Sequence, residues 1–256
     1  MRYFNYIAIF TVLLMGLPAV AAPISLTTIG HDYTQNFDTL SGTGSGNSIS
    51  VINGWATSAS YDADDGSNPL AAVYSYGRSG QVDRALGLLT TGVTQLIGAE
   101  FSNDTGIIID TLDIQYIGEQ WRLAANTLQD SLLFEYSLDA TSLVTGSWTP
   151  VSALNLLSQV GVPANVVGNS LNGNLTANRT YRAASFPVTI GTQSFWIRWR
   201  DVGVSGDDHG LAVDDFQLTP SGTQIVPEPS SVLLFALGGI AMAMVALHAQ
   251  KRPRTS

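Results

Sequence analysis

The densest group of side chains that could do chemistry is the run DVGVSGDDHGLAVDDF at 201–216. Hard cations such as Ca²⁺ take several oxygen ligands from carboxylates and backbone carbonyls, and aspartates close in sequence can supply them. The run lacks the spacing of an EF-hand loop. It therefore indicates either a calcium site or an acidic, solvated hairpin between two strands. Five of its residues are aspartates: Asp201, Asp207, Asp208, Asp214 and Asp215.

A second candidate site is the stretch GEQWRLAAN at 118–126, at a predicted strand-to-loop transition. Trp121 lies there between polar neighbours, among them Glu119 and Arg122. An exposed indole ring beside hydrogen-bonding groups is suited to stacking on a sugar ring. We therefore predict that Glu119, Trp121 and Arg122 bind carbohydrate from an exposed position. The alternative is that Trp121 caps the core and Arg122 pairs with an acid.

The catalytic constellations of secreted hydrolases are not recognisable. Glycosidases need two carboxylates about 5–10 Å apart across a cleft, and the four glutamates are far apart in sequence. Neither His31 nor His209 has a nucleophile elbow nearby. The sequence therefore favours a non-enzymatic protein, and the alternative is a secreted hydrolase that acts on polysaccharide.

The charge balance narrows the classes of partner. Residues 22–226 hold 19 acidic residues and seven arginines but no lysine, a net charge of −12. Such a surface repels nucleic acid, so a nucleic-acid binder is excluded. The chain has no cysteine, which excludes disulfides, thiolate metal sites and cysteine nucleophiles. Packing, with or without a metal ion, must therefore hold the domain together.

Period-two patterning predicts the elements that position these residues. Apolar and polar residues alternate along several stretches, and turn-forming clusters lie between them at 41–48 and 169–180. In the last stretch Asp214 alternates in phase with Phe216 and Leu218, which predicts an inward-pointing charge that needs a partner or a metal. We predict an all-β, antiparallel, jelly-roll-like β-sandwich in one domain, 22–224. The alternating stretches are TLDIQYIG at 111–118, SLLFEYSLDA at 131–140, SFWIRWRDV at 194–202 and LAVDDFQLT at 211–219.

Strand pairing then suggests which aspartates meet. The first clear strand, at 33–40, carries Asp38, and the last, at 211–219, carries Asp214 and Asp215. In a jelly roll these two strands commonly lie side by side, and three close carboxylates repel one another without a cation. We predict a structural Ca²⁺ held by the three aspartates. The alternative is a turn whose aspartates accept hydrogen bonds from local backbone N–H groups.

The N-terminus has the pattern of a secretory signal peptide over residues 1–21. It begins with a positive charge at Arg2, continues with an apolar core at about 7–17, and ends in small residues. Cleavage after Ala21 is favoured over cleavage after Ala22, because the latter would place a proline at the scissile bond. The apolar run is short for a membrane span.

The C-terminal segment, 225–256, combines an apolar stretch with a basic end. Residues 232–247 carry no charge, which predicts one transmembrane helix at about 231–248, slightly short for the hydrocarbon core. Lys251, Arg252 and Arg254 follow and predict a cytoplasmic end by the positive-inside rule. The domain before the helix is therefore predicted to be exported.

The tripeptide Pro227-Glu228-Pro229, followed by this helix and this basic tail, resembles the PEP-CTERM sorting signal of Gram-negative bacteria. The resemblance covers about the last 30 residues. It implies export by the secretion machinery, a membrane-bound intermediate and recognition by an exosortase. Release or attachment at the cell surface, among producers of exopolysaccharide, is then expected.

The central domain also resembles a group of secreted bacterial domains that PEP-CTERM proteins often carry, for which no activity is established. It looks like the jelly-roll sandwiches of carbohydrate-binding modules, an analogy of fold that transfers no function by itself. We expect an exported, non-enzymatic surface or matrix protein with carbohydrate or exopolysaccharide as its candidate ligand. The resembling stretches are RALGLL at 84–89, FSNDTG at 101–106, YIGEQWR at 116–122, FEYSLDATSL at 134–143, GSWTPV at 146–151 and FWIRWRDVGVSGDDHGLAVDDFQLT at 195–219.

Overall fold

The computed structural model describes residues 22–125, 128–159 and 168–223. The predicted signal peptide with Ala21, the Pro-Glu-Pro motif, the predicted helix at about 231–248 and the basic tail lie outside these ranges. No helix within them has the length and apolar character needed to cross a membrane. The helices described are three single turns of 3₁₀ type, at Ile49–Val51, Ser152–Leu154 and Thr176–Asn178.

The described residues form two β-sheets, and the first has seven strands. Its strands are antiparallel except that Ile24–Leu26 runs parallel to Gln95–Asn103. In spatial order they are β1 (Ile24–Leu26), β7 (Gln95–Asn103), β14 (Ser194–Asp201), β9 (Ser131–Ser137) and β10 (Thr149–Pro150), with β11 (Leu156–Leu157) also on β9 and β3 (Trp55–Thr57) also on β7.

The second sheet has eight strands. It is antiparallel except that Tyr61–Asp64 and Ala72–Tyr76, at one edge, run parallel to each other. The prediction that the first and last clear strands pair is confirmed, since Tyr33 lies opposite Leu218 and Gln35 opposite Phe216. In spatial order the strands are β12 (Asn169–Ser170), β8 (Ile109–Leu123), β15 (Gly210–Ser221), β6 (Ala85–Leu89), β5 (Ala72–Tyr76) and β4 (Tyr61–Asp64), with β13 (Arg179–Ile190) also on β8 and β2 (Tyr33–Gln35) also on β15.

The main core lies between the two sheets and centres on aromatic rings. Trp199 of β14 lies parallel to Trp55 at 6.2 Å and meets Phe216 of β15 edge-on at 5.7 Å. Edge-to-face contacts of this kind add stability beyond the apolar area that they bury. The alternation predicted for 194–202 is confirmed on one face of β14, where Phe195, Ile197 and Trp199 are all fully buried in this core.

A β-bulge at the end of the aspartate run overturns one prediction from the alternation. The register between β15 and β8 shifts between Asp214 and Gln217, and Asp215 has a positive φ of 47°. The extra residue reverses the side of the sheet that later side chains face. Asp214 therefore does not share the inward face of Phe216; it lies on the outer side of the sheet, against Arg179.

Candidate functional site

The outer face of the eight-stranded sheet, turned away from the core, carries an ordered row of polar side chains. The register places the polar residues Gln115 of β8, Gln217 of β15 and Thr34 of β2 side by side, with the small Ala183 of β13 next to Gln115. Gln115 Nε2 donates a hydrogen bond of 2.9 Å to Gln217 Oε1. The hydroxyl of Tyr181, a residue that is 60% exposed, donates to Gln115 Oε1 at 2.6 Å. Strand alternation and pairing thus produce a fixed polar array.

Two adjoining depressions follow this row and share Gln217. One has a volume of about 330 Å³ and the other about 480 Å³. We call the two together the groove. Its polar lining consists of amides, hydroxyls and two carboxylates, contributed by Thr34, Gln35, Asn36, Asp113, Gln115, Ser185, Asp215, Gln217 and Thr219.

The chemistry of the groove suits a ligand rich in hydroxyl groups. Amide and hydroxyl side chains both donate and accept hydrogen bonds, so they can match sugar hydroxyls in either direction. Tyr181 adds an exposed aromatic ring beside them. Sugar rings present apolar C–H faces that such a ring can cover while its polar handle stays bonded.

An arginine cluster, formed by Arg179, Glu119, Asp214 and Asp215, lies next to the groove. Arg179 Nε is 3.2 Å from Glu119 Oε1, and its Nη2 is 3.2 Å from Asp215 Oδ2 and 3.7 Å from Asp214 Oδ2. Burial raises the pKa of Glu119 to about 7 and, together with the charge of Glu119, raises the pKa of Asp214 to about 8. One arginine therefore serves three carboxylates, of which two are buried.

The prediction that Trp121 and Arg122 are exposed is wrong. Trp121 is fully buried in a second, smaller apolar cluster, where it lies parallel to Tyr76 with ring centres 5.9 Å apart. Its Nε1 donates to Glu119 Oε2 at 2.9 Å. Arg122 is also buried and donates to the backbone carbonyls of Gly66 and Ser67, both at 3.2 Å, instead of to an acid.

Trp121 is buried because loops that come before and after β8 in the chain cover this end of the strand. Leu171 N donates to the carbonyl of Trp121 at 2.7 Å, and Gly173 packs so closely on the indole ring that a Cβ there would collide with it. A tryptophan sealed in this way cannot stack on a sugar. The structure therefore brings together the three residues of the predicted sugar site, Glu119, Trp121 and Arg122, but it buries them inside the domain.

The structure does not arrange Asp38, Asp214 and Asp215 around one point, as the predicted calcium site would require. Asp38 Oδ1 accepts from Arg84 N at 3.1 Å, and the chain has already left β2 at Phe37, whose φ is +57°. Asp214 Oδ1 accepts a hydrogen bond of 2.7 Å from the backbone N–H of Asp215. This is the kind of local bond expected under the alternative, a turn whose aspartates bind nearby backbone N–H groups. Among the described residues, no group of three or more His, Cys, Asp or Glu side chains is arranged to hold a metal ion.

Comparisons with known proteins identify the C-terminal segment. Residues 226–252 match the PEP-CTERM protein-sorting motif, which confirms the resemblance seen in the sequence. The motif marks the chain as an exported protein that is sorted by way of the membrane. No curated protein matches the chain.

Several solved β-structures are similar to the chain at low identity. The CBM22-1 xylan-binding domain of Xyn10C from Paenibacillus barcinonensis is 11% identical with a TM-score of 0.40, over 77% of this chain and 99% of that chain. A second xylan-binding CBM 22 domain is 11% identical with a TM-score of 0.39, over 75% and 96%. The K3 adhesin domain of Lys-gingipain from Porphyromonas gingivalis is 10% identical with a TM-score of 0.37, over 56% and 79%.

Proposed function

We propose that this exported domain is a non-enzymatic protein of the cell surface or extracellular matrix that binds a polysaccharide in the groove. The observation that carries the proposal is the array of Tyr181, Gln115 and Gln217, in which an exposed ring and two amides are held in one orientation by hydrogen bonds. A groove that is open and already ordered loses little conformational freedom on binding an extended chain.

The environment of the carboxylates supports binding over hydrolysis. Glu119 and Asp214 have the raised pKa values that a general acid needs. Both, however, are at most 2% exposed and lie against Arg179, so a glycosidic oxygen cannot approach them. We therefore assign their perturbation to burial within the fold, with hydrolysis of polysaccharide as the alternative that the experiment must test.

The direct test is binding of the purified exported protein to a glycan panel that includes the producer's own exopolysaccharide. Tyr181→Ala should weaken saturable binding at least tenfold, because it removes the exposed ring and the hydroxyl that orients Gln115. Val144→Ala, at an exposed residue away from the groove, is the matched control and should bind normally. Release of reducing sugar would instead support the hydrolase, and absence of binding to every glycan would refute the proposal.

For the C-terminal segment we propose processing by an exosortase. The support is the match of residues 226–252, which include Pro227-Glu228-Pro229, to the PEP-CTERM protein-sorting motif. Replacing Pro227, Glu228 and Pro229 by alanine should leave export intact and leave the segment uncut. Mass spectrometry of the released protein decides, because a wild-type product that still contains residues 232–247 would contradict exosortase processing.

A further inference from the structure

Three buried aspartates meet at one end of the sandwich, away from the groove. Asp130 directly precedes β9, Asp201 is the last residue of β14, and Asp208 lies just before β15. The pairing of β14 with β9 places Asp201 opposite Leu132, two residues from Asp130. All three aspartates are at most 2% exposed. Burial raises the pKa of Asp201 to about 8 and that of Asp208 to about 6, and the charge of nearby Asp130 raises both further.

The hydrogen bonds of these aspartates follow one pattern. In each, a backbone N–H donates to Oδ1, while Oδ2 is buried without a hydrogen bond of normal geometry. At Asp130 the backbone N–H of His209 also lies near the carboxylate and lowers its pKa, although burial, the larger effect, raises it. The donors to Oδ1 are Ser131 N at 2.7 Å for Asp130, Gly203 N at 3.1 Å for Asp201 and Val204 N at 2.8 Å for Asp208. A buried carboxylate oxygen without a partner is strongly unfavourable, and here three occur together.

Within the described part of the chain, the charges of these aspartates are not offset by an arginine ion pair. His209 lies beside them, but its Nδ1 accepts from the backbone N–H of Ala124 at 3.1 Å, so this nitrogen carries no proton. Burial also lowers the pKa of His209. The neutral imidazole therefore adds no cation, in contrast to Arg179 in the arginine cluster.

We propose that Asp130 and Asp201 bind a divalent cation of the Ca²⁺ type, with Asp208 as the neighbouring charge that strengthens the site. Among the described residues no group of three acidic or histidine side chains is arranged to hold a metal ion. The proposed site therefore relies on the two aspartates that the pairing of β14 with β9 brings close. Backbone carbonyls and water complete the shell of the ion, as Ca²⁺ sites allow. The ion joins the start of β9 to the end of β14, beside the start of β15, so it strengthens a domain without disulfides. It does not depend on the groove.

The test is thermal unfolding of the exported protein in EDTA and in Ca²⁺, with isothermal titration of Ca²⁺ alone. At a hundredfold excess over Kd, Ca²⁺ should raise the melting temperature by about 5–10 °C. Asp130→Asn and Asp201→Asn should each abolish the rise, and Asp208→Asn should weaken Ca²⁺ binding. In EDTA the asparagine variants should melt no lower than wild type, because they remove repulsion.

The matched controls are Asp38→Asn and Asp215→Asn, which change two of the three aspartates in the calcium site predicted from the sequence. They should keep the full Ca²⁺ response. An equal melting temperature in EDTA and Ca²⁺ without a titration signal would overturn the proposal. A Ca²⁺-dependent rise in melting temperature that persists in both Asp130→Asn and Asp201→Asn would also overturn the proposal. Loss of this rise in the Asp38→Asn and Asp215→Asn controls alone would overturn it too, and would indicate that the ion binds at Asp38.

Discussion

The side-chain amides of Gln115 and Gln217 are joined across two antiparallel strands by a hydrogen bond of 2.9 Å. Since Gln115 Oε1 also accepts from the Tyr181 hydroxyl, both ends of this amide are engaged. The orientation of the amide is thereby fixed before any ligand arrives. Binding energy is then not spent on ordering these side chains.

Tyr181→Phe separates the hydroxyl from the ring. It keeps a stacking surface but frees the Gln115 amide, so glycan affinity should fall by about 2–10-fold, the value of one hydrogen bond. Titration calorimetry with the glycan that binds wild type measures the change. A loss as large as that of Tyr181→Ala would mean that the ring contributes nothing.

Trp121→Ala should destabilise the domain by about 3–5 kcal/mol, because it empties the centre of a buried aromatic cluster. The indole also loses its bond to Glu119, whose carboxylate then has one partner fewer. Urea unfolding measures the loss, with Tyr181→Ala as an exposed aromatic control that should change stability little. Equal stability of the two variants would contradict the burial of Trp121.

Stability should fall as the pH rises from about 4 to 8. Burial raises the pKa of Glu119 to about 7 and of Asp214 to about 8, whereas both lie near 4 in an unfolded chain. Within this window the folded protein binds more protons than the unfolded protein, so the free energy of unfolding decreases with pH. Glu119→Gln should flatten the slope while retaining an acceptor for Trp121. Urea unfolding between pH 4 and 8 measures how the free energy of unfolding depends on pH. If Glu119→Gln left this dependence unchanged, the raised pKa of Glu119 would be contradicted.

Gly66→Ala should be far more damaging than Gly30→Ala. Both glycines have positive φ, at 89° and 73°, but only at Gly66 would a Cβ collide, with the carbonyl of Trp121. Gly30→Ala should lose about 1–2 kcal/mol of stability through backbone strain alone. Gly66→Ala adds the collision and should lose about 2–5 kcal/mol. Chemical unfolding of the pair measures the difference, and equal losses would mean that the loop moves away at little cost.

Sequence patterns predicted where the strands lie better than they predicted which face of the sheet each side chain occupies. The alternation predicted along β14 is kept in the structure, where Trp199 lies in the core, because a straight strand preserves its period of two. The same reasoning failed for Asp214, since one bulged residue reverses the faces and leaves no local mark in the sequence.

The candidate site depended on information that no single stretch contains. Gln115 and Gln217 are 102 residues apart, and only the pairing of β8 with β15 makes them neighbours. Tyr181 directly follows the turn-rich run 169–180, whose composition does not predict a strand. Trp121 was misjudged for a similar reason, because the loops that bury it come from residues distant in sequence.

The position of β15 has a mechanical consequence. A pull transmitted through the C-terminal segment enters the domain at Ser221, the last residue of a strand that is hydrogen-bonded on both sides. Force along that strand loads its ladders in shear, so many bonds must break together instead of opening one by one as in a zipper. A protein held at a surface by this end and drawn at its groove by a polymer would therefore resist tension through the strand that carries Gln217.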